Sequence, residues 1–203
     1  MSVCRAIIPV KELARAKSRL REALGPEERI SLSLEMLERV LDAVQIDGLA
    51  PLVISQDPQA LALAEKSGAE TLLDRWDGLN PSLEGAARWC RERGARSLLV
   101  LHADLPLVRR EDIASIMDLG RAASVVVAPC RRHDGTNALF MRPPGIIPFA
   151  FGPGSFQTYL GLAHRQGVTV QVYRSPTIAL DIDTEDDLRI WRSQVHFSEG
   201  VAR

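Results

Sequence analysis

Cysteine is scarce here: Cys4, Cys90 and Cys130 are the only three in 203 residues, odd in number and far apart. That spacing gives neither a disulfide framework nor a zinc-binding cluster, and a reducing, cytoplasmic setting is the expectation. No stretch approaches the roughly 18 continuous apolar residues of a membrane span. The opening residues Met1-Ser2-Val3-Cys4-Arg5 lack the apolar core and small-residue cleavage site of a secretory signal. Charge of either sign is not in excess: 25 Lys+Arg face 26 Asp+Glu, a formal net charge of -1. A global electrostatic attraction to nucleic acid or to an anionic membrane is thereby excluded. Motif absences narrow the chemistry further. There is no GxxxxGK[ST] for a Walker-type ATPase, no HExxH pair for a metalloprotease and no GxSxG elbow for a serine hydrolase. His102, His133, His164 and His196 show no ligand spacing and read as structural or surface residues.

What is present is ordinary for a globular protein, with 46% hydrophobic and 25% charged residues. The length favours one domain over 1–203, with residues 190–203 as the end of a last helix and a polar tail. The most informative stretch is Ser97-Leu98-Leu99-Val100-Leu101-His102-Ala103-Asp104-Leu105-Pro106. Its apolar run suits a strand buried on both faces of a parallel sheet. Asp104 then falls at the carboxyl end of that strand, where ligands bind in open α/β sheets.

Other strands are expected at Ala6–Val10, Leu52–Ile54, Glu70–Leu73, Ser124–Ala128, Ala138–Met141, Val168–Tyr173 and Ala179–Asp183. A helix should start at Pro26, followed by Glu27 and Glu28 as a first turn prefers. Ile30, Leu34, Leu37, Leu41 and Val44 would form its apolar stripe. Further helices are expected after the Asp57-Pro58 cap, from the Asp74–Pro81 loop through Cys90, from Glu111 to Leu119, from Ser155 towards Gln166, and after Thr184. The residues after Val10 read as a basic loop turning into a helix. Strand–helix alternation as far as residue 130 argues for an α/β fold with a central, mostly parallel sheet.

Three groups could carry chemistry. Lys11, Arg15, Lys17 and Arg19 follow the first strand, where fixed cations suit phosphates; a solvated helix face would use the same letters. Asp104, Asp181 and Asp183 are strand-end acids, and Mg²⁺ is held by one or two carboxylates plus substrate phosphates. Asp181 or Asp183 could instead cap the helix near Thr184. Gly135-Thr136-Asn137 and Phe151-Gly152-Pro153-Gly154-Ser155 allow close backbone approach to an anion, and two ordinary turns would look alike.

Taken in order, Ile8-Pro9-Val10-Lys11, Ala16-Lys17-Ser18-Arg19-Leu20, Leu79-Asn80, Ala103-Asp104-Leu105-Pro106-Leu107, Asp134-Gly135-Thr136-Asn137-Ala138, Phe151-Gly152-Pro153-Gly154-Ser155-Phe156 and Leu180-Asp181-Ile182-Asp183-Thr184-Glu185-Asp186-Asp187-Leu188 resemble the 2-phospho-L-lactate guanylyltransferase family, including its bacterial phosphoenolpyruvate guanylyltransferases. The resemblance spans residue 6 to about 190. It implies a three-layer nucleotidyltransferase-like domain that transfers GMP from GTP to a small phosphorylated acid, releasing pyrophosphate. The acid would be 2-phospho-L-lactate, phosphoenolpyruvate or 3-phosphoglycerate, and the product would serve coenzyme F-420 biosynthesis. By the same resemblance Lys11, Lys17 and Arg19 face the GTP phosphates, and Asn80 with Ser82 lies near the nucleoside. Asp104 and Asp183 hold Mg²⁺, while Thr136, Gly152 and Ser155 contact the acid. Lys17, Arg19 and Asp104 would be the catalytic set. Pro81 departs from the small residue that family members often carry after the Leu-Asn pair. Alternatives are transfer to a sugar phosphate or molybdopterin-like acceptor, and a GTP-binding module without catalysis. The apolar Phe149–Phe156 stretch fits a homodimer interface, a lid or a pocket wall.

Overall fold

The structure, a computed structural model, describes residues 4–201, with side chains to residue 194. Seven strands form one sheet: β1 (Cys4–Val10), β2 (Leu49–Ser55), β3 (Glu70–Leu73), β4 (Ser97–Leu101), β5 (Val125–Pro129), β6 (Thr136–Met141) and β7 (Val170–Val172), in the order β3-β2-β1-β4-β6-β5-β7. The connecting helices are α1 (Pro26–Ala43), α2 (Pro58–Lys66), α3 (Leu79–Glu92), α4 (Arg110–Ala122), α5 (Ser155–Arg165), the single turn α6 (Pro176–Ala179) and α7 (Glu185–Val201). The last helix thus reaches Val201, through most of the expected polar tail; residues 202–203 lie outside the described residues.

The period of two along each strand builds a core on either face of the sheet. Ala6 and Ile8 of β1 and Leu99 and Leu101 of β4 face one core, closed by Leu37 and Leu41 of α1 and Ile113 of α4. Ile7, Leu98 and Val100 point the other way, under Leu83 and Ala87 of α3 and Phe156 and Tyr159 of α5. A third cluster joins Leu20, Leu24, Leu32 and Met36 to Ile182 and Leu188. Because α1 packs on both the sheet and this cluster, its buried face runs through Leu32, Met36, Leu37, Val40 and Leu41, leaving Ile30 and Leu34 partly exposed. Glu28 Oε2 accepts from Gly25 N–H at 2.7 Å and closes the first turn of α1.

The sheet is mostly parallel, as expected, with β6 alone antiparallel to its neighbours β4 and β5. Other expectations need correction. The basic stretch forms two 3-10 turns, Leu13–Arg15 and Ser18–Leu20, because Lys17 between them takes the left-handed conformation (φ 52, ψ 36) that an α-helix cannot continue. Helix α3 begins at Leu79, with Pro81 inside its first turn, where a missing N–H costs nothing. Ala179–Asp183 is not a strand. Leu180 and Ile182 are buried and Asp181 and Asp183 only partly so, which gives the alternation, but this backbone pairs with no strand. Its anchors are Ile182 N–H to Asp104 O at 3.2 Å and the Asn137 amide, which donates to Ile178 O at 2.9 Å. Phe149, Phe151 and Phe156 are buried within the chain, in the core that α3 and α5 close over the sheet. No helix among the described residues is long and apolar enough to cross a membrane.

Candidate active site

The strand order makes a crevice. The chain leaves β1 outward through β2 and β3, then crosses back to β4 on the other side of β1. Connections leaving β1 and β4 therefore diverge at their carboxyl ends, the switch point at which open α/β sheets bind ligands. The antiparallel β6 brings its own first residues, Thr136 and Asn137, to the same edge, where His102 N–H donates to Asn137 O at 3.1 Å. A cavity of about 710 Å³ opens there, and Lys11, Lys17, Arg19, Ser82, Asp104 and Asp183 all line it. A second cavity of about 640 Å³ lies by Arg96 and Arg142, at the opposite end of β4 and β6, away from these groups.

Local chemistry shapes the basic loop. Asp57 caps α2 by accepting from Gln59 and Ala60 N–H through Oδ1, and its Oδ2 takes Leu13 N–H at 2.9 Å. One buried carboxylate thus ties the loop to the neighbouring strand–helix unit. Leu20 anchors the other end in the third cluster.

Between those anchors Lys17 turns inward. Its Nζ donates to Asp104 Oδ2 at 2.6 Å and to Asp183 Oδ1 at 3.2 Å, and its side chain is 8% exposed. Burial alone would lower the Lys17 pKa, but the two carboxylates outweigh it and hold the ammonium above its usual value. Burial alone would raise Asp104; the charge of Lys17, then that of His102, brings the net direction below the ordinary carboxylate range. Asp181 is different. Burial, then the charges of Asp104 and Asp183, push its pKa up, and its Oδ1 accepts from the Asn137 amide at 3.3 Å. Asp187, buried at the start of α7, accepts from Asp183 and Thr184 N–H and from Arg131 and Arg132, and so fixes the loop that carries Asp183.

The donor set fits a hard divalent cation. Asp104 Oδ1 is shut off from solvent and has no hydrogen-bond partner, and a second carboxylate, Asp183, meets the same ammonium. Carboxylate oxygens at such a site suit Mg²⁺. Among the described residues no three His, Cys, Asp or Glu side chains group closely enough to hold a metal by themselves.

The other expected residues divide. Ser82 lines the cavity but is buried, with Oγ at 2.9 and 2.8 Å from the two Asp74 oxygens. Asn80 is not on the cavity wall: its Nδ2 donates to Phe151 O and its Oδ1 accepts Phe151 N–H. Thr136, Gly152 and Ser155 come together at the strand edge, where Ser155 Oγ donates to Thr136 Oγ1 at 3.1 Å and Ser155 N–H to Gly152 O at 3.1 Å. They stand apart from the wall of the 710 Å³ cavity. Gly152 has φ 139, a conformation side-chain-bearing residues rarely adopt.

Sequence reasoning missed His102, Asp74 and Trp76, all on the cavity wall. His102 is two residues before Asp104 at the end of β4, and that position was the available signal. Asp74 directly follows β3, the same strand-end rule that singled out Asp104. Nothing in the sequence marks Trp76, whose indole packs where Gly85 leaves room; a Cβ at Gly85 would lie 2.3 Å from Trp76 Cζ2.

The family model described as "Guanylyl transferase CofC like" matches residues 4–193. A phosphoenolpyruvate guanylyltransferase of Rubrobacter xylanophilus is 46% identical over 185 residues, 90% of this chain and 90% of that protein. The 2-phospho-L-lactate guanylyltransferase of Methanocaldococcus jannaschii is 31% identical over 185 residues, 91% of this chain and 80% of that protein. In three dimensions, a Desulfovibrio desulfuricans protein assigned as a nucleotide-diphospho-sugar transferase matches with a TM-score of 0.78 over 94% of this chain and 87% of that one. At 16% identity, that likeness is one of fold.

Proposed function

The chain belongs to the CofC-like guanylyl transferase family, and on that premise we propose that it transfers GMP from GTP to phosphoenolpyruvate or a related phosphorylated acid, in the route to coenzyme F-420. The observation that carries this reading is the Lys17–Asp104–Asp183 cluster in a cavity at the switch point of the sheet.

The acceptor brings its own nucleophile. A phosphate monoester has a second pKa of about 6 and is mostly dianionic at neutral pH. One of its oxygens forms a bond to the α-phosphorus of GTP, while the bond from that phosphorus to the bridging oxygen of the leaving group breaks. Pyrophosphate departs with the electron pair. No proton has to be removed, so neither a protein nucleophile nor a general base is required. The protein's task is to align two anions that repel one another.

Lys17 serves that task from a fixed position: its charge is held by two carboxylates, and its backbone is set by the turns on either side. Lys11 and Arg19 stand exposed on the same wall and would meet the triphosphate. Asp104 and Asp183 would hold Mg²⁺, which when bound offsets phosphate charge, including that of the departing pyrophosphate. Thr136, Gly152 and Ser155 would receive the acid, Thr136 and Ser155 through the paired hydroxyls that suit a carboxylate or phosphate. Three free, buried cysteines are in keeping with the reducing cytoplasm.

Incubation of the purified protein with GTP, Mg²⁺ and each of phosphoenolpyruvate, 2-phospho-L-lactate and 3-phosphoglycerate should release pyrophosphate with at least one acid. Absence of release with all three would refute the reading.

A further inference from the structure

The cavity has a second wall that phosphate chemistry leaves unused. Asp74 stands at the carboxyl end of β3, its backbone N–H bonded to Ser55 O at 2.9 Å, which extends the β2–β3 ladder by one residue. Its carboxylate is held from two sides: Oδ1 accepts Trp76 N–H at 3.1 Å, and Ser82 Oγ lies within 2.9 Å of both oxygens. A carboxylate has about four acceptor sites, so these contacts orient the group without exhausting it. Two other carboxylates on the wall are less suited. Glu12 is paired with Arg15 at 3.1 Å, and Asp77 is exposed. Beside Asp74 is the Trp76 indole, seated over Gly85 where even one methyl group would collide.

An oriented carboxylate next to an aromatic ring, on the wall of a cavity whose other wall is cationic, matches one base edge in particular. Guanine presents two adjacent donors, N1–H and the N2 amino group, which a carboxylate can accept side by side. Adenine presents an acceptor at N1, and hypoxanthine lacks the amino group. We propose that Asp74 reads the base of the nucleotide by accepting from guanine N1–H and N2–H, with Ser82 and the Trp76 N–H fixing the carboxylate and the Trp76 ring flanking the base. This assignment rests on the guanylyl-transfer reading for its ligand and adds the residue that makes it specific for guanine.

The test is a change of base preference, which a merely structural Asp74 would not produce. Xanthine has N1–H and a carbonyl at C2, so an amide at position 74 can accept from the first and donate to the second. GTP and XTP binding to wild type and Asp74→Asn would be measured by titration calorimetry, with pyrophosphate release from phosphoenolpyruvate followed in parallel. Wild type should favour GTP over XTP, and the variant should reverse the order. GTP affinity should fall by about 10- to 100-fold in the variant, the scale of one bidentate base contact. A variant that keeps the wild-type order overturns the assignment. Should the variant fail to fold, wild type alone decides: ITP binding within about twofold of GTP would mean that no group accepts from N2, and would overturn it equally. Wild type that prefers GTP with the predicted variant switch, yet releases no pyrophosphate, would reject guanylyl transfer and leave the base contact standing. Wild type that binds no GTP overturns both.

Discussion

The side-chain amide of Asn80 is bonded at both ends to the backbone of Phe151: Nδ2 donates to the carbonyl at 3.0 Å and Oδ1 accepts the N–H at 2.8 Å. The first turn of α3 is thereby clamped to the segment that leads into Gly152 and Ser155. Phe151 in turn lies 5.2 Å, ring centre to ring centre, from His102. Asn80→Asp keeps the shape but sets an oxygen against the Phe151 carbonyl. Stability should fall by about 1–3 kcal/mol, the scale of a part-buried polar group left without its partner. Urea denaturation at neutral pH measures it, and a loss below about 0.5 kcal/mol would mean that the clamp does not matter.

Lys17→Ala leaves Asp104 and Asp183 without their shared counter-charge, and Asp104→Asn removes the more buried carboxylate. Each should lower the rate of pyrophosphate release by roughly 100-fold or more, as removal of one preorganised electrostatic partner does, while circular dichroism stays native. An unchanged rate in either variant removes that residue from the mechanism.

Two glycines separate nucleotide binding from stability. A Cβ at Gly85 would come within 2.3 Å of Trp76, and a Cβ at Gly120 within 2.5 Å of Phe140. Either Gly→Ala change overpacks the interior and should cost about 1–3 kcal/mol. Only Gly85→Ala displaces a ring on the cavity wall, so it alone should raise the KM for GTP. Equal KM values in the two variants would argue against a role for Trp76.

Tyr173 supplies a pH signature. Its hydroxyl donates to Asp112 Oδ1 at 2.9 Å; Asp112 also accepts from Thr177 Oγ1 and, at the start of α4, from Arg109 N–H. Burial, then the hydrogen bond to Asp112, raises the Tyr173 pKa. A raised folded-state value means the contribution is whole below the unfolded pKa of about 10 and is lost as pH rises through the folded value. Tyr173→Phe should therefore be less stable than wild type by about 1 kcal/mol near pH 8, and the gap should narrow above pH 10. Denaturation across that range is the measurement; a gap independent of pH would contradict it.

Much of the site was legible because strand ends can be read in one dimension. The apolar run before Asp104 needed burial on both faces, and Pro26, Asp57-Pro58 and Gly68 marked helix boundaries by backbone chemistry alone. The same reasoning mistook Ala179–Asp183 for a strand. Alternating burial is satisfied equally by a strand and by an unpaired segment with Leu180 and Ile182 pushed into the protein. Asn80 illustrates the opposite limit. The resemblance put it near the nucleoside, but it is bonded instead to Phe151, 71 residues away, a contact no neighbouring residue announces.

By itself the sequence determined most of the elements and the resemblance, since hydrophobic period, turn chemistry and motif order are all properties of neighbouring residues. It also determined that Lys17, Asp104 and Asp183 carry charge at strand or loop ends. Only the tertiary structure decided that these three, separated by 87 and 166 positions along the chain from Lys17, meet in one ion cluster. It likewise decided that β6 runs against its neighbours and that Asp74, Trp76 and Ser82 share one cavity wall. The reason is physical: contacts between distant segments are set by how two cores close around a single sheet, and no local pattern encodes that closure.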